Sequence, residues 1–522
     1  MIFRHLMRAR REAGRLVKAA EKPIGQRELG LLRQRIRGKG RPEFRDRKVV
    51  ILGAGIAGLA CALELSRLGF AVVVLEAERE HIGGRVRTHR RKAEGRQLHA
   101  ELGAMRIPRK HLLTNHYIDE FKLQTRPFVL WNEDAFIHVR KHAFRLREVM
   151  QDEGRTMHLF RLTSAEKELK YEGLWNKAVL DVLGSLNPEQ VLQLYADELS
   201  DPTVVGLDHK TLATALHDAH LSREASEYVM TMMGLETALP IALTEHLREE
   251  NDEVWQGEFH ELVDGTDTLA TAFHERIPAK IRRGSEVFRL EQPEGGKARV
   301  FYRDADGQPE CEEGDWLICT IPLGVLNRLD ISSAFSDRRL RAIQGVNYDP
   351  SSKVIGHAPY RWWERNDGIY GGGSQFDTQM GSTWYPSDNI SKDNRVTNAE
   401  SLFLASYTWG QLARRIAAIP DNQLDDIVRH ELARIHPYIA EKANLYTTEI
   451  RWAWDQIPTQ AGAYAFFLPG EQYRFYQDLV GPDGRVFLTG EHVSHTHSWI
   501  QGALESAIHT MVQIVEFEER VA

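Results

Sequence analysis

The chain has 522 residues, of which 42% are hydrophobic and 27% charged, with a formal net charge of −7. That balance predicts a soluble globular protein of about two to four domains and argues against a nucleic-acid partner, since no basic surface dominates. No apolar run is long enough to span a bilayer, so no membrane partner is expected. The three cysteines, Cys61, Cys311 and Cys319, form neither a metal spacing nor a disulfide framework, which fits a reducing cytoplasm.

Residues 1–47 are rich in Arg and Lys and broken by Gly and Pro, and are expected to form a basic N-terminal arm. A strand-like run from Lys48 to Leu52 then meets Gly53-Ala54-Gly55-Ile56-Ala57-Gly58 and an apolar helix containing Cys61, which reads as a core residue. A second strand from Ala71 ends on Glu76, and Gly83-Gly84-Arg85 follows. This is the pattern of a dinucleotide socket: Gly53 for a tight turn, Gly55 for close approach of a pyrophosphate, Gly58 for helix–strand packing. Unpaired N–H groups at the helix start face the phosphates. Glu76 follows Gly55 at the spacing of a ribose-binding carboxylate, which disfavours a 2′-phosphate. The socket alone leaves NAD and FAD both open.

Gln97 to Pro108 reads as a strand and turn leading into a polar loop. From about Arg145 to Glu250, Leu, Met, Ala and Tyr recur at helical spacings, which predicts a helical insertion. Strands are expected at Glu286–Leu290, Ala298–Tyr302, Trp316–Thr320, Lys353–His357, Leu402–Tyr407 and Leu445–Trp452, with a helix from Asp421 to Ile435. A last strand, Val486–Leu488, precedes Thr489-Gly490-Glu491 and a long helix from about Gly502.

Together, Gly83-Gly84-Arg85, the turn Glu101-Leu102-Gly103-Ala104-Met105-Arg106 and the C-terminal Gly490-Glu491…Trp499-Ile500-Gln501-Gly502-Ala503 resemble the flavin-dependent amine oxidase superfamily. Within it, Gly103 to Pro108 is most similar to the L-amino acid oxidases. The resemblance covers nearly everything from Lys48 to Val512, and it decides for FAD over NAD.

The resemblance implies an α/β (α+β overall) architecture: a two-dinucleotide-binding, Rossmann-like FAD domain from residues 48–100, 256–345 and 478–522. It adds a mixed-sheet substrate domain from 101–145 and 346–477, and a helical domain at 146–255. FAD would be held noncovalently, because no cysteine lies near the C-terminal motif. Its contacts would come from Gly53, Gly55, Ile56, Ala57, Gly58, Glu76, Ala77, Gly84, Arg85, Gly103, Ala104, Met105, Arg106, Val287, Glu491, Trp499, Ile500 and Ala503. Arg106 would bind a substrate carboxylate with the planar fork that lysine lacks, and Tyr407 would donate a second hydrogen bond. Lys353 would hold a water near the flavin, and Trp454 and Trp499 would wall the site. Ser498 stands where the family often has glycine.

His492, His495 and His497 form a tight group, but the partners that would complete a metal site are missing nearby, so no metal is expected. The implied activity is oxidation of L-amino acids by molecular oxygen to 2-oxo acids, ammonia and hydrogen peroxide, in a homo-oligomer. An amino acid 2-monooxygenase, an amine or polyamine oxidase, and a dehydrogenase with another electron acceptor stay open on the same scaffold.

Overall fold

The structure is a computed structural model that describes residues 29–30, 33, 44–93, 95–390 and 397–521. Most of the expected basic arm therefore lies outside the described residues. Where it is described, Leu29 is buried and Arg33 pairs with Glu64 and, at 2.7 Å, with Glu120.

Lys48–Leu52 is a strand because Val49, Val50 and Ile51 are β-branched and covered on both faces, as the centre of a parallel sheet requires. That sheet has six strands in the order Lys280–Arg283, Ala71–Glu76, Lys48–Leu52, Trp316–Cys319, Val486–Leu488, Pro482–Asp483. Only the last pair is antiparallel. Val49 is in register with Val72 on one side and Trp316 on the other, so the socket's two local strands are completed by a third from far along the chain.

The helix Ile56–Arg67 is built from small and apolar residues and is buried almost all round. It packs between the sheet and the long helix Ile500–Val521, where Leu59 and Leu63 share one core with Leu504, Ile508 and Met511. Cys61 belongs to this core and is fully buried. A three-stranded antiparallel sheet, Glu286–Glu291, Ala298–Arg303 and Pro309–Gly314, lies beside it.

The second half is organised by a seven-stranded mixed sheet in the order Thr447–Ala453, Ser351–Ala358, Ser401–Trp409, Ser382–Tyr385, Gly372–Phe376, Phe136–Val139, His142–Arg145. Residues 146–256 are helical, as their periodicity predicts, and carry no strand. Their core is continuous with this sheet through Ile355, Trp384, Leu402 and Leu404.

One stretch reads differently from its sequence. The polar loop expected after Pro108 contains the helix Leu112–Phe121, which buries Leu113, Tyr117, Ile118 and Phe121 at helical spacing. Its polar Thr114 and Asn115 are satisfied locally, Thr114 by the Gln501 side chain and Asn115 by backbone carbonyls including that of Pro108, at 3.0 Å. Their polarity therefore does not oppose the helix.

Candidate active site

A cavity of about 440 Å³ runs from the glycine turn to the seven-stranded sheet, and the residues expected at both ends line it. At the nucleotide end, Gly53 has φ +101°, the left-handed backbone that the sharp turn needs. Gly55 has ordinary extended φ, yet a side chain there would project into open space, with nothing within 4 Å. That is the gap a bulky phosphate group needs. Gly58 does not line the cavity; an added Cβ would strike the Gly53 carbonyl, so its role is the packing role expected of it.

Glu76 accepts the backbone N–H of Ala54 at 2.7 Å and that of Glu78 at 2.8 Å. Burial pushes its carboxyl up, against these two donors. The geometry fixes Glu76 at the sheet's C-terminal edge, where its free lone pairs can accept ribose hydroxyls. Ala77, Ile56, Ala57, Gly84 and Val287 complete this end, with Val287 on the antiparallel sheet.

Midway along the cavity, Glu491 ties three distant segments together. It accepts from Arg85 Nη1 at 2.7 Å, from the Ala465 N–H at 3.1 Å and from the Ser498 N–H at 3.1 Å. Burial works to raise the Glu491 carboxyl, and Arg85, His497, His492 and the Ser498 N–H together hold it below the usual range. Ser498, next to Trp499, has φ +68°. A non-glycine residue in this region is strained by about 1 kcal/mol, which explains why glycine suits the position.

The three histidines of the same loop diverge. His497 Nδ1 meets Glu245 Oε1 at 3.0 Å, His495 lies against the Tyr476 ring with Asp197 at 3.8 Å, and His492 packs beside Gly490. Burial pushes His492 down to about 3 and His495 to about 4. Among the described residues, no group of three or more potential ligands is placed to hold a metal.

At the far end Arg106 is 8% exposed, so it is not a surface ion-pair residue. It precedes the short strand Ile107–Pro108, which pairs with Phe259–Leu262. Its guanidinium carbon lies 5.1 Å from the centre of the Trp255 ring and 5.3 Å from that of Trp384. Two indoles thus flank the fork and fix its plane. Trp384 can lie there because its cross-strand neighbour, Gly373, has no side chain where the indole sits. Burial pushes the Arg106 guanidinium down, against Tyr407 and Glu249.

Lys353 is almost fully buried and donates to the carbonyls of Gly103 at 2.7 Å and Glu101 at 3.1 Å. Burial pushes its ammonium down, against the pull of Glu101. Its Nζ lies 4.5 Å from the centre of the Tyr407 ring, its cross-strand neighbour. Trp454 donates its indole N–H to the Leu102 carbonyl at 2.9 Å, and Trp499 meets His111 edge-on at 4.9 Å and Trp255 at 5.5 Å.

Every expected site residue except Gly58 therefore faces one cavity, with Ala104, Met105, Ile500 and Ala503 between the two ends. Sequence reasoning did not single out Glu249, Trp255, Trp384 or Tyr464. Tyr464 lines the cavity and donates to Asp349 Oδ2 at 2.6 Å.

Residues 56–515 match the family model described as flavin containing amine oxidoreductase. An L-amino acid oxidase of Bothriechis schlegelii is 27% identical over 465 residues, 88% of each chain. One from Siganus canaliculatus is 28% identical over 474 residues, 89% of this chain and 85% of its own. In architecture the chain is similar to putrescine oxidase bound to putrescine: TM-score 0.70, 18% identity, covering 90% of this chain and 99% of that one.

Proposed function

This chain belongs to the flavin-containing amine oxidoreductase family, and from that premise we propose that it is an FAD-dependent L-amino acid oxidase. The observation that carries this reading is Arg106, buried between two indoles at the end of the cavity beside Tyr407. An amine without a carboxylate has no use for such a fork; an α-amino acid does.

FAD is supported by the open space at Gly55, by Glu76 on the cavity wall at the sheet edge, and by Val287 on the adjoining sheet. Noncovalent binding is supported by the lining, since no cysteine is among the described residues of the cavity. When bound, the flavin supplies a hydride acceptor for the substrate Cα–H and a path for the electrons to molecular oxygen.

The chain's own residues bind and orient. Arg106 takes the carboxylate in a bidentate grip, and the Tyr407 hydroxyl donates to the same group. Fixing the carboxylate fixes which Cα substituent faces the cofactor, a positioning effect of several kcal/mol. Lys353 can hold a water and pass on a proton at Nζ, because burial favours its neutral form. Trp454, Trp499 and Trp255 exclude bulk water. The balance is amino acid, oxygen and water to 2-oxo acid, ammonia and hydrogen peroxide. A cytoplasmic setting belongs to the same proposal, supported by three unpaired cysteines of which Cys311 is exposed. So does a homo-oligomer, which rests on the basic arm.

The test is peroxide and ammonia release from L-amino acids, D-amino acids and simple amines, for wild type and Arg106→Ala. The variant is expected to keep its flavin and to lose kcat/KM for amino acids by about 10³-fold, the ~4 kcal/mol of a buried charge pair. Undiminished activity in Arg106→Ala would remove the carboxylate clamp. Amide and carbon dioxide as products would indicate a monooxygenase, and slow reoxidation in air a dehydrogenase.

A further inference from the structure

The substrate end of the cavity holds a charge opposite in sign to Arg106. The helix Leu243–Asn251 runs along this wall and brings Glu245 and Glu249 to the cavity. Glu245 is engaged elsewhere, with His497 at 3.0 Å and Arg248 Nη2 at 2.8 Å. Glu249 is placed differently. Its Oε2 accepts the Trp255 indole N–H at 3.3 Å, and Trp255 is one of the two rings that flank Arg106.

The Glu249 carboxylate thus stands about one indole's width from the arginine. It acts electrostatically on Arg106 and on the Tyr464 phenol, which Asp349 holds from behind. The rings of Trp255, Tyr464, Tyr407 and Trp409 line the same space. A carboxylate edged by aromatic faces suits an ammonium or guanidinium: the carboxylate takes charge-assisted hydrogen bonds and the ring faces attract the cation. A side chain ending in a carboxylate would be repelled, and a neutral one would forgo both attractions.

We propose that Glu249 selects L-amino acids whose side chain ends in a cation, with Arg106 on the α-carboxylate and Glu249 on the distal ammonium or guanidinium. The proposal rests on the amino acid oxidase reading of the cavity.

The experiment measures peroxide formation by the flavin-loaded protein with L-lysine, L-arginine, L-methionine, L-glutamine and L-glutamate, for wild type and Glu249→Gln. Wild type is expected to favour L-lysine or L-arginine over L-methionine and L-glutamine by tenfold or more in kcat/KM. Glu249→Gln is expected to lower that ratio at least tenfold, mainly through KM. A wild type that prefers neutral or acidic side chains overturns the proposal, whatever the variant does. So does a variant that weakens all substrates alike. If wild type oxidises several amino acids without a cationic preference, only this inference fails. If it oxidises none, the oxidase reading itself has failed.

Discussion

The two ends of the cavity are made in different ways. The nucleotide end is made mostly of backbone: a glycine turn, a helix start and one carboxylate, Glu76, within residues 48–84, with Val287 added from the adjoining sheet. The reacting end is made of side chains, with Arg106, Trp255, Lys353, Trp384, Tyr407, Tyr464 and Trp499 brought together from seven separate elements or loops. Backbone recognition leaves a local spacing rule in the sequence, whereas side-chain recognition leaves its rule only in the packing.

The sharpest way to break this contrast is Gly55→Val. The position has an extended φ that valine accepts and no neighbour within 4 Å, so the variant should fold with stability within about 1 kcal/mol of wild type. It should nevertheless be colourless, with flavin affinity lowered more than 100-fold; flavin absorbance after gel filtration, beside far-UV circular dichroism, reads both. Retention of flavin would show that the pyrophosphate does not approach here.

A middle-sized effect is expected where the two ends are joined, at Arg85–Glu491. The Glu491 carboxyl is held below its unfolded value, so it contributes stability that is fully present above about pH 4.3 and lost as pH falls through the lower folded value. Glu491→Gln should cost about 2–3 kcal/mol at neutral pH. Its melting temperature should also fall less steeply than that of wild type below pH 5. Parallel acid limbs for the two proteins would mean that the pair is not charged as described.

The smallest effect is at Ser498. Ser498→Gly relieves left-handed strain of about 1 kcal/mol and adds a similar unfolded-state entropy, so the net change should be below 1 kcal/mol. A loss of several kcal/mol by chemical denaturation would mean that the Ser498 side chain is itself a structural partner.

The same contrast explains what could be read without coordinates. The parallel strands and the socket were legible because Val49-Val50-Ile51 and the glycine spacing state their roles locally. Arg106, Lys353 and Tyr407 became legible only through several motifs in a fixed order. Glu249 was invisible, since on a helix rich in Glu and Arg it reads as a solvated charge. Trp384 was hidden for another reason: its neighbour strand, Gly372–Phe376, opens with glycines that read as loop, although Gly373 is what admits the indole. The helix Leu112–Phe121 was obscured by Thr114, Asn115 and His116 within its apolar spacing.

The register of Lys48–Leu52 against Trp316–Cys319, and of that strand against Val486–Leu488, also sets a timetable. The glycine turn is among the first described segments to leave the ribosome, yet its neighbour strand Trp316–Cys319 follows about 260 residues later and the helix Ile500–Val521 is among the last described segments. Loop closure over such separations is slow, and the half-made sheet exposes an apolar edge meanwhile. Until Ile500–Val521 is in place, the helix behind the glycine turn lacks its cover, so cofactor capture is expected to await that segment.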